Sequence, residues 1–273
     1  MKRVRVPDLK AMKSRGERIT VLTAYDFPMA RLLDRAGIDV LLVGDSLGMV
    51  VLGYETTVPV TLNDMVRHTQ AVSRGSSRAL VVADMPFLTY QTDVPEALRN
   101  AGRLIQEGGA SAVKIEGGRP ILEVTQRLVE VGIPVMGHLG LTPQSVHQFG
   151  GFRQQARTED AANRLMEDAR GLERAGVFAL VLESIPPDVA ARVSEALSVP
   201  TIGIGAGPHC DGQVLVSHDV FGLFEEFVPP FVKQYAHLAD TIVSAAQAYG
   251  EDVRTGRFPG PEQTPQSSPT AQE

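Results

Sequence analysis

The chain has 273 residues, enough for one large domain, since an α/β barrel needs about 250. It is 43% hydrophobic and 21% charged, a globular balance, and its formal net charge of -6 leaves no basic footprint for nucleic acid. One cysteine, Cys210, excludes an intrachain disulfide, and nothing near it in sequence would activate a thiolate, which fits a reducing cytoplasm.

The N-terminus through Arg18 carries several Lys and Arg residues, but no apolar signal core follows. No later run approaches the roughly 18 apolar residues of a membrane helix. Neither secretion nor a membrane partner is expected. Residues 19–25 are β-prone, and Asp26 with Pro28 supplies the N-cap and first-turn proline of a helix that Gly37 closes. Residues 39–43 then form an apolar run that ends in Gly44, Asp45 and Ser46. A glycine-containing loop over residues 48–57 precedes a helix-spaced segment from Thr61 to Ser73.

The unit then repeats. Residues 79–83 end at Asp84 and lead to a helix over 94–106; residues 112–116 carry Lys114 and Glu116 and lead to a helix over 120–131. Residues 134–137 run into His138. The stretch from Thr142 to Arg157 is polar and irregular, too long for an ordinary connection, and is a candidate lid. A helix over 159–175, a strand over 178–182 ending at Glu183, a helix over 187–197, and short strands at 200–203 and 213–216 complete the pattern.

Eight apolar runs alternating with helices, none with the polar alternation of a half-solvated sheet, predict an α/β fold of the (β/α)8 TIM barrel type. It is expected to be a single domain over residues 1–262, with a short N-terminal extension. A Pro-, Gln-, Ser- and Thr-rich tail over 263–273 has little to bury and is expected to be mobile. The rival open sheet would carry its dinucleotide fingerprint early. The only such cluster, Gly203 to Gly207, is late and has Pro208 where a third glycine belongs, so it reads as a phosphate loop or as a plain tight turn.

In a barrel, Asp45, Asp84, Glu116, His138 and Glu183 converge at the C-terminal mouth, where active sites are built. Each acid alone reads better as a helix cap; four acids on nearby strands argue for a shared purpose. Adjacent strands lie about 5 Å apart, so Asp45, Asp84 and Glu116 would repel one another unless a positive group sat among them. An all-oxygen set without cysteine or paired histidines suits Mg2+ better than Zn2+, with Mn2+ or Co2+ as substitutes. Lys114 shares the inward face of its strand with Glu116 and reads either as a Schiff-base nucleophile or, in preference, as an ammonium that binds a substrate carboxylate. Glu183 is the acid best placed to stay unligated as a base, or else to act as a cap or a partner of Lys114. His138 reads equally as a substrate contact or a satisfied strand-end histidine.

Residues 43–49 (VGDSLGM), 83–87 (ADMPF), 113–118 (VKIEGG), 137–144 (GHLGLTPQ), 182–183, 203–207 (GIGAG), 210–216 (CDGQVLV) and 258–262 (FPGPE) resemble ketopantoate hydroxymethyltransferases, in the family's order and from about residue 7 to 262. Departures such as His209 and the tail fall outside these blocks. The resemblance implies a cytoplasmic, Mg2+-dependent barrel enzyme of pantothenate and coenzyme A biosynthesis, with one ion per subunit, assembled as a homodecamer. It implies hydroxymethyl transfer from the cosubstrate 5,10-methylenetetrahydrofolate to the small-molecule substrate 3-methyl-2-oxobutanoate, giving 2-dehydropantoate. It assigns the metal to Asp45 and Asp84 with Glu116 completing its surroundings, the keto acid to Ser46 and Lys114, and the proton to Glu183. Two alternatives stand beside it: another metal-dependent barrel lyase or mutase that forms an enolate from a 2-oxo acid, and a non-catalytic metabolite-binding barrel.

Overall fold

The computed structural model describes residues 2–264, so most of the expected tail, residues 265–273, lies outside the described residues. The elements run α1 (Val6–Ser14), β1 (Ile19–Thr23), α2 (Phe27–Arg35), β2 (Val40–Val43), α3 (Leu47–Val50), α4 (Leu62–Gly75), β3 (Leu80–Asp84), α5 (Val94–Gln106), β4 (Ala112–Glu116), α6 (Leu122–Glu130), β5 (Val135–Gly140), α7 (Val146–Phe149), α8 (Glu159–Ala175), β6 (Ala179–Glu183), α9 (Pro187–Ala196), β7 (Thr201–Ile204), β8 (Gly212–Leu215), α10 (Ser217–Val220) and α11 (Leu238–Arg254). The chain divides after Ser217 into two compact units.

In the first unit the eight strands close in sequence order into a barrel, and every neighbouring pair is parallel, β8 returning to β1. Inward-facing residues such as Val21, Leu42, Val82, Met136, Val181 and Ile202 form the buried barrel core. The two-residue period of a strand carries that inward phase upward. Val82 is followed on the same face by Asp84, Ala112 by Lys114 and Glu116, Met136 by His138, and Val181 by Glu183. The rule that fills the core with apolar side chains thus delivers five functional groups to the C-terminal mouth. Register sets them side by side, with Asp84 opposite Lys114, Glu116 opposite His138, and Gly140 opposite Glu183.

The opposite mouth is closed by α1, whose Leu9 is fully buried in the core cluster with Val4. Its Lys13 Nζ donates to Val199 O (3.1 Å), Ser194 O (2.8 Å) and Asp211 Oδ2 (2.9 Å), just before β7 and β8. The N-terminal extension is therefore an integral plug. A second fastening lies between α2 and β3, where buried Asp34 accepts from Ser76 Oγ, Ser77 N and Oγ, Arg78 N and Ala79 N. Burial pushes this carboxyl up, but the bond from Ala79 N and its companions prevail and hold it down at about 2.

Several local expectations shift; the fifth strand, for one, runs on through His138 to Gly140. The loop after β2 begins with a helical turn, α3. The stretch from 142 to 157 is not irregular throughout, because it opens with a 3-10 turn at Pro143–Ser145 and continues as α7. The eighth strand starts one residue early, at Gly212, where a Cβ would stand 2.4 Å from Ile19 O and glycine alone allows the pairing to begin.

The second unit comprises α11 and flanking turns. Tyr235 N, Leu238 N and Ala239 N donate to Val220 O, Phe221 O and Gly222 O, so the start of α11 is tied to the turn after α10. Tyr249 meets Phe258 edge-on at 5.5 Å between ring centroids. Residues 261–263 form a 3-10 turn, so the described part of the expected tail has local structure.

Candidate active site

The structure brings all seven sequence-predicted residues to the C-terminal mouth. Asp45 enters through the turn after β2; its amide donates to Asp84 Oδ2 at 3.0 Å, which orients one carboxylate by the backbone of the other. Lys114 Nζ lies 3.2 Å from Asp84 Oδ1 and 3.3 Å from Glu116 Oε1. His138 Nδ1 stands 3.2 Å from Glu116 Oε1 and 3.2 Å from Lys114 Nζ, while its Nε2 lies 3.2 Å from Glu183 Oε2. Ser46 Oγ is 2.8 Å from Tyr25 Oη. Asp45, Asp84, Lys114, Glu116 and His138 are each at most 6% exposed, whereas Glu183 keeps partial access to solvent.

Burial sets the electrostatics. Desolvation and the neighbouring charges of Asp84 and Glu116 push the Asp45 carboxyl well above its ordinary range. Asp84 is also pushed up, by desolvation against the pull of Lys114. Burial lifts Glu116 too, but Lys114 and His138 outweigh it and hold that carboxyl at about 2. Burial and Lys114 disfavour the charged imidazole of His138, but the contact with Glu116 wins and raises it to about 9. Lys114 is desolvated, yet Asp84, Glu116 and Asp45 raise its pKa above the ordinary lysine value. It is an ammonium, the wrong state for a Schiff-base nucleophile.

One ammonium does not satisfy this cluster. Asp84 Oδ1, though within ion-pair reach of Lys114, is buried and accepts no well-aligned hydrogen bond. With Asp45 beside it, this leaves an oxygen-lined spot of excess negative charge, which fits a hard divalent cation. Among the described residues no three His, Cys, Asp or Glu side chains surround a common point in a ligating arrangement. The protein thus offers an open carboxylate pair, which suits an ion that retains waters and substrate oxygens. Glu116 has its oxygens shared among Lys114, His138 and the amide of Gln144 (3.2 Å).

The family to which this architecture belongs is decided by sequence. The profile of ketopantoate hydroxymethyltransferases matches residues 3–261. The chain belongs to that family. Among curated relatives, the 3-methyl-2-oxobutanoate hydroxymethyltransferase of Moorella thermoacetica is 62% identical over 260 residues, covering 95% of this chain and 97% of the relative. That of Syntrophus aciditrophicus is 60% identical over 251 residues, covering 92% of each chain. Solved structures of phosphonopyruvate hydrolase (TM-score 0.62, 12% identity, 95% of this chain and 93% of that one) and 2,3-dimethylmalate lyase (TM-score 0.59, 19% identity, 95% and 91%) share the fold. This hydroxymethyltransferase-family chain is thus an enzyme on a barrel scaffold that other chemistries also use.

Three site residues escape a reading based on charge. Tyr25 follows the inward phase of Val21 and Thr23 and is fully buried with its hydroxyl on Ser46, a position that the period alone marks. Tyr90 and Gln144, both buried and neutral, hydrogen-bond to each other and to the acid cluster. In the glycine cluster Gly205 and Gly207 lie at φ +59° and +78°, a left-handed backbone that glycine permits. Cys210 is buried and its thiol is pushed up by desolvation, in keeping with an inert side chain.

Proposed function

We propose that this enzyme transfers a hydroxymethyl group from 5,10-methylenetetrahydrofolate to 3-methyl-2-oxobutanoate, giving 2-dehydropantoate for pantothenate and coenzyme A synthesis, with one Mg2+ per subunit. The observation that carries the reading is a division of labour among acids: Asp45 and Asp84 form a buried, charge-excess pair, and Glu183 stands apart beside His138 with access to the mouth.

Asp45 and Asp84 would hold the cation, with Glu116 bounding its site and keeping Lys114 and His138 in place. Bound there, Mg2+ supplies Lewis-acid stabilisation of negative charge on the keto oxygen. The Lys114 ammonium attracts the substrate carboxylate, and Ser46, oriented by Tyr25, contributes a hydroxyl to the same end of the keto acid. Glu183 takes the C3 proton, and the carbon left electron-rich bonds to the one-carbon unit, whose hydroxyl oxygen comes from water as both bonds to the folate nitrogens break and tetrahydrofolate leaves. His138, its ring between Glu116 and Glu183, lies within ion-pair reach of that carboxylate and is a candidate substrate contact. The outer part of the segment after α7, with Phe152 exposed at its tip, would close over the mouth and keep water from the intermediate.

No described helix is long and apolar enough to cross a membrane, which agrees with a cytoplasmic enzyme. Assembly as a homodecamer is supported by the family resemblance and by the exposed apolar side chains of Ile242, Val243 and Tyr249 on α11. The decisive experiment is a coupled assay of 2-dehydropantoate formation from 3-methyl-2-oxobutanoate and methylenetetrahydrofolate, with and without Mg2+. Product is expected only with both substrates and the ion. No product under any of these conditions would overturn the reading.

A further inference from the structure

Gln144 lies just beyond β5, on the segment that leads to α7, and is 5% exposed. Its side chain reaches the tips of two other strands. Nε2 donates one hydrogen to Asp45 Oδ2 and the other to Met85 O, both at 2.9 Å. Oε1 accepts from Tyr90 Oη at 2.8 Å and from Gln91 Nε2 at 3.1 Å. Its own amide donates to Glu116 Oε2 at 3.2 Å. A carboxamide has two hydrogens and two acceptor sites, so every bonding position of this side chain is filled. The orientation of the amide is also fixed: reversal would set its oxygen against the Asp45 carboxylate and Met85 O, with no donor between them.

Tyr90 locks that orientation. Its hydroxyl accepts from Glu116 N at 3.0 Å, and its one hydrogen faces Gln144 Oε1 at 2.8 Å, the nearer of two acceptors, the other being Glu116 O at 3.1 Å. Burial, reinforced by the Glu116 charge, pushes the phenol well above its ordinary value, so it remains a neutral donor. A single neutral side chain thus touches the carboxylate of Asp45, while its backbone touches that of Glu116. This is the work of an outer-shell group that orients first-contact ligands, and such groups contribute to metal affinity without binding the metal.

We propose that Gln144, locked by Tyr90, is a positioning residue that presents the Asp45 carboxylate to a divalent cation and joins the base of the segment after β5 to the cation site. The inference rests on the reading of Asp45 and Asp84 as the cation-holding pair. Several features favour glutamine at this position. A glutamate would place a second carboxylate against Asp45 Oδ2, an asparagine is one methylene short, and a methionine fills the volume but offers Asp45 no hydrogen.

The test is direct Mn2+ binding by electron paramagnetic resonance and calorimetry, without substrate, on the full chain and on the variants Gln144→Met, Tyr90→Phe and Asp84→Asn. Gln144→Met is expected to weaken Mn2+ binding by about 10- to 100-fold, and Tyr90→Phe by less but in the same direction. The metal concentration needed for half-maximal rate should rise by the same factor as the Mn2+ dissociation constant. A purely structural role would lower the melting temperature and leave affinity unchanged. Unaltered affinity in a folded Gln144→Met protein, while Asp84→Asn abolishes binding, overturns this proposal and leaves the cation reading intact. Unaltered affinity in Asp84→Asn overturns both. If Gln144→Met does not fold, Tyr90→Phe decides alone, since its loss of one hydroxyl removes the lock with little change in volume.

Discussion

Glu183 Oε2 and His138 Nε2 meet at 3.2 Å where β5 and β6 run side by side, and the same imidazole meets Glu116 through Nδ1 at 3.2 Å. One ring therefore stands between the group assigned to proton removal and the buried acid cluster. It cannot turn to serve another partner without losing both contacts. The carboxylate of Glu183 thus lies within ion-pair reach of a ring that Glu116 holds at Nδ1, although Nε2 makes no well-aligned hydrogen bond to it, and it keeps partial access to solvent.

This arrangement makes Glu183→Gln a clean probe of chemistry. Glutamine keeps the size and can still contact Nε2 but accepts no proton. Exchange of the C3 hydrogen of 3-methyl-2-oxobutanoate with deuterated water, followed by proton NMR, is expected to fall by about 10²- to 10⁴-fold, together with turnover. Mn2+ affinity should be unchanged, since Asp45 and Asp84 are untouched. Exchange at the parent rate would remove Glu183 from the role of base.

His138 gives a pH dependence with a definite sign. Its pKa in the folded, metal-free chain is raised to about 9 from an ordinary 6.5, because the imidazolium gains Glu116 and Glu183 as partners. A raised folded value means that the contribution to stability is complete below about pH 6.5 and is lost as pH climbs through 9. It amounts to at most about 3 kcal/mol. Chemical denaturation of EDTA-treated protein between pH 6 and 10 should show this decline, and His138→Gln should remove most of it. Parallel curves for the two proteins would count against the charged imidazole.

The parts of this molecule that were legible in the sequence are those that strand periodicity governs. Asp84, Lys114, Glu116, His138 and Glu183 all continue an inward phase begun by core residues, so naming the strands also named the mouth. Asp45 needed one more step, because it lies beyond β2 in a turn, yet its charge after an apolar run drew attention to it. Tyr90, and the role of Gln144 at the end of the block 137–144, were not legible for a physical reason: both are neutral, lie outside the strands, and matter through hydrogen bonds whose partners are 26 to 99 residues away. The plug formed by α1 was missed in the same way. Its nine residues carry only one fully buried side chain, so no strong apolar stripe betrays what they cover.

Asp34 tests a fastening remote from the chemistry. Its carboxylate collects donors from four consecutive residues, Ser76 to Ala79, and is held at about 2. A depressed folded value means that the stabilisation is present above the unfolded value of 3.8 and fades as pH falls toward 2. Asp34→Asn should cost about 2 kcal/mol at pH 7, a fall of roughly 4–8 °C in melting temperature, with kcat and KM unchanged. The gap between the two proteins should narrow as pH falls from 4 to 2. A gap that persists undiminished at pH 2 would show that the carboxylate's charge is not its source.

Gly140 offers the sharpest separation of base placement from metal binding. It sits opposite Glu183 at φ +93°, and a Cβ there would fall 2.2 Å from Glu183 O and 2.8 Å from Ile185 Cγ2. Because Leu141 N also donates to Glu183 O at 2.8 Å, the strand end that carries the base has no room to yield without shifting Glu183 itself. Gly132, at φ +90° with nothing within 4 Å of its missing Cβ, provides the control. Gly132→Ala carries only the backbone cost of a left-handed residue, about 1–3 kcal/mol, and should leave kcat intact. Gly140→Ala carries that cost plus the collision, and is expected to be less stable than Gly132→Ala and to lose at least about tenfold in kcat. Its Mn2+ affinity should fall by less than its kcat, since Asp84 ends β3, Asp45 lies in the turn after β2, and β5 reaches them only through Gln144. A Gly140→Ala enzyme with parental kcat would mean that Glu183 tolerates displacement, and the geometric argument for it as the positioned base would fail.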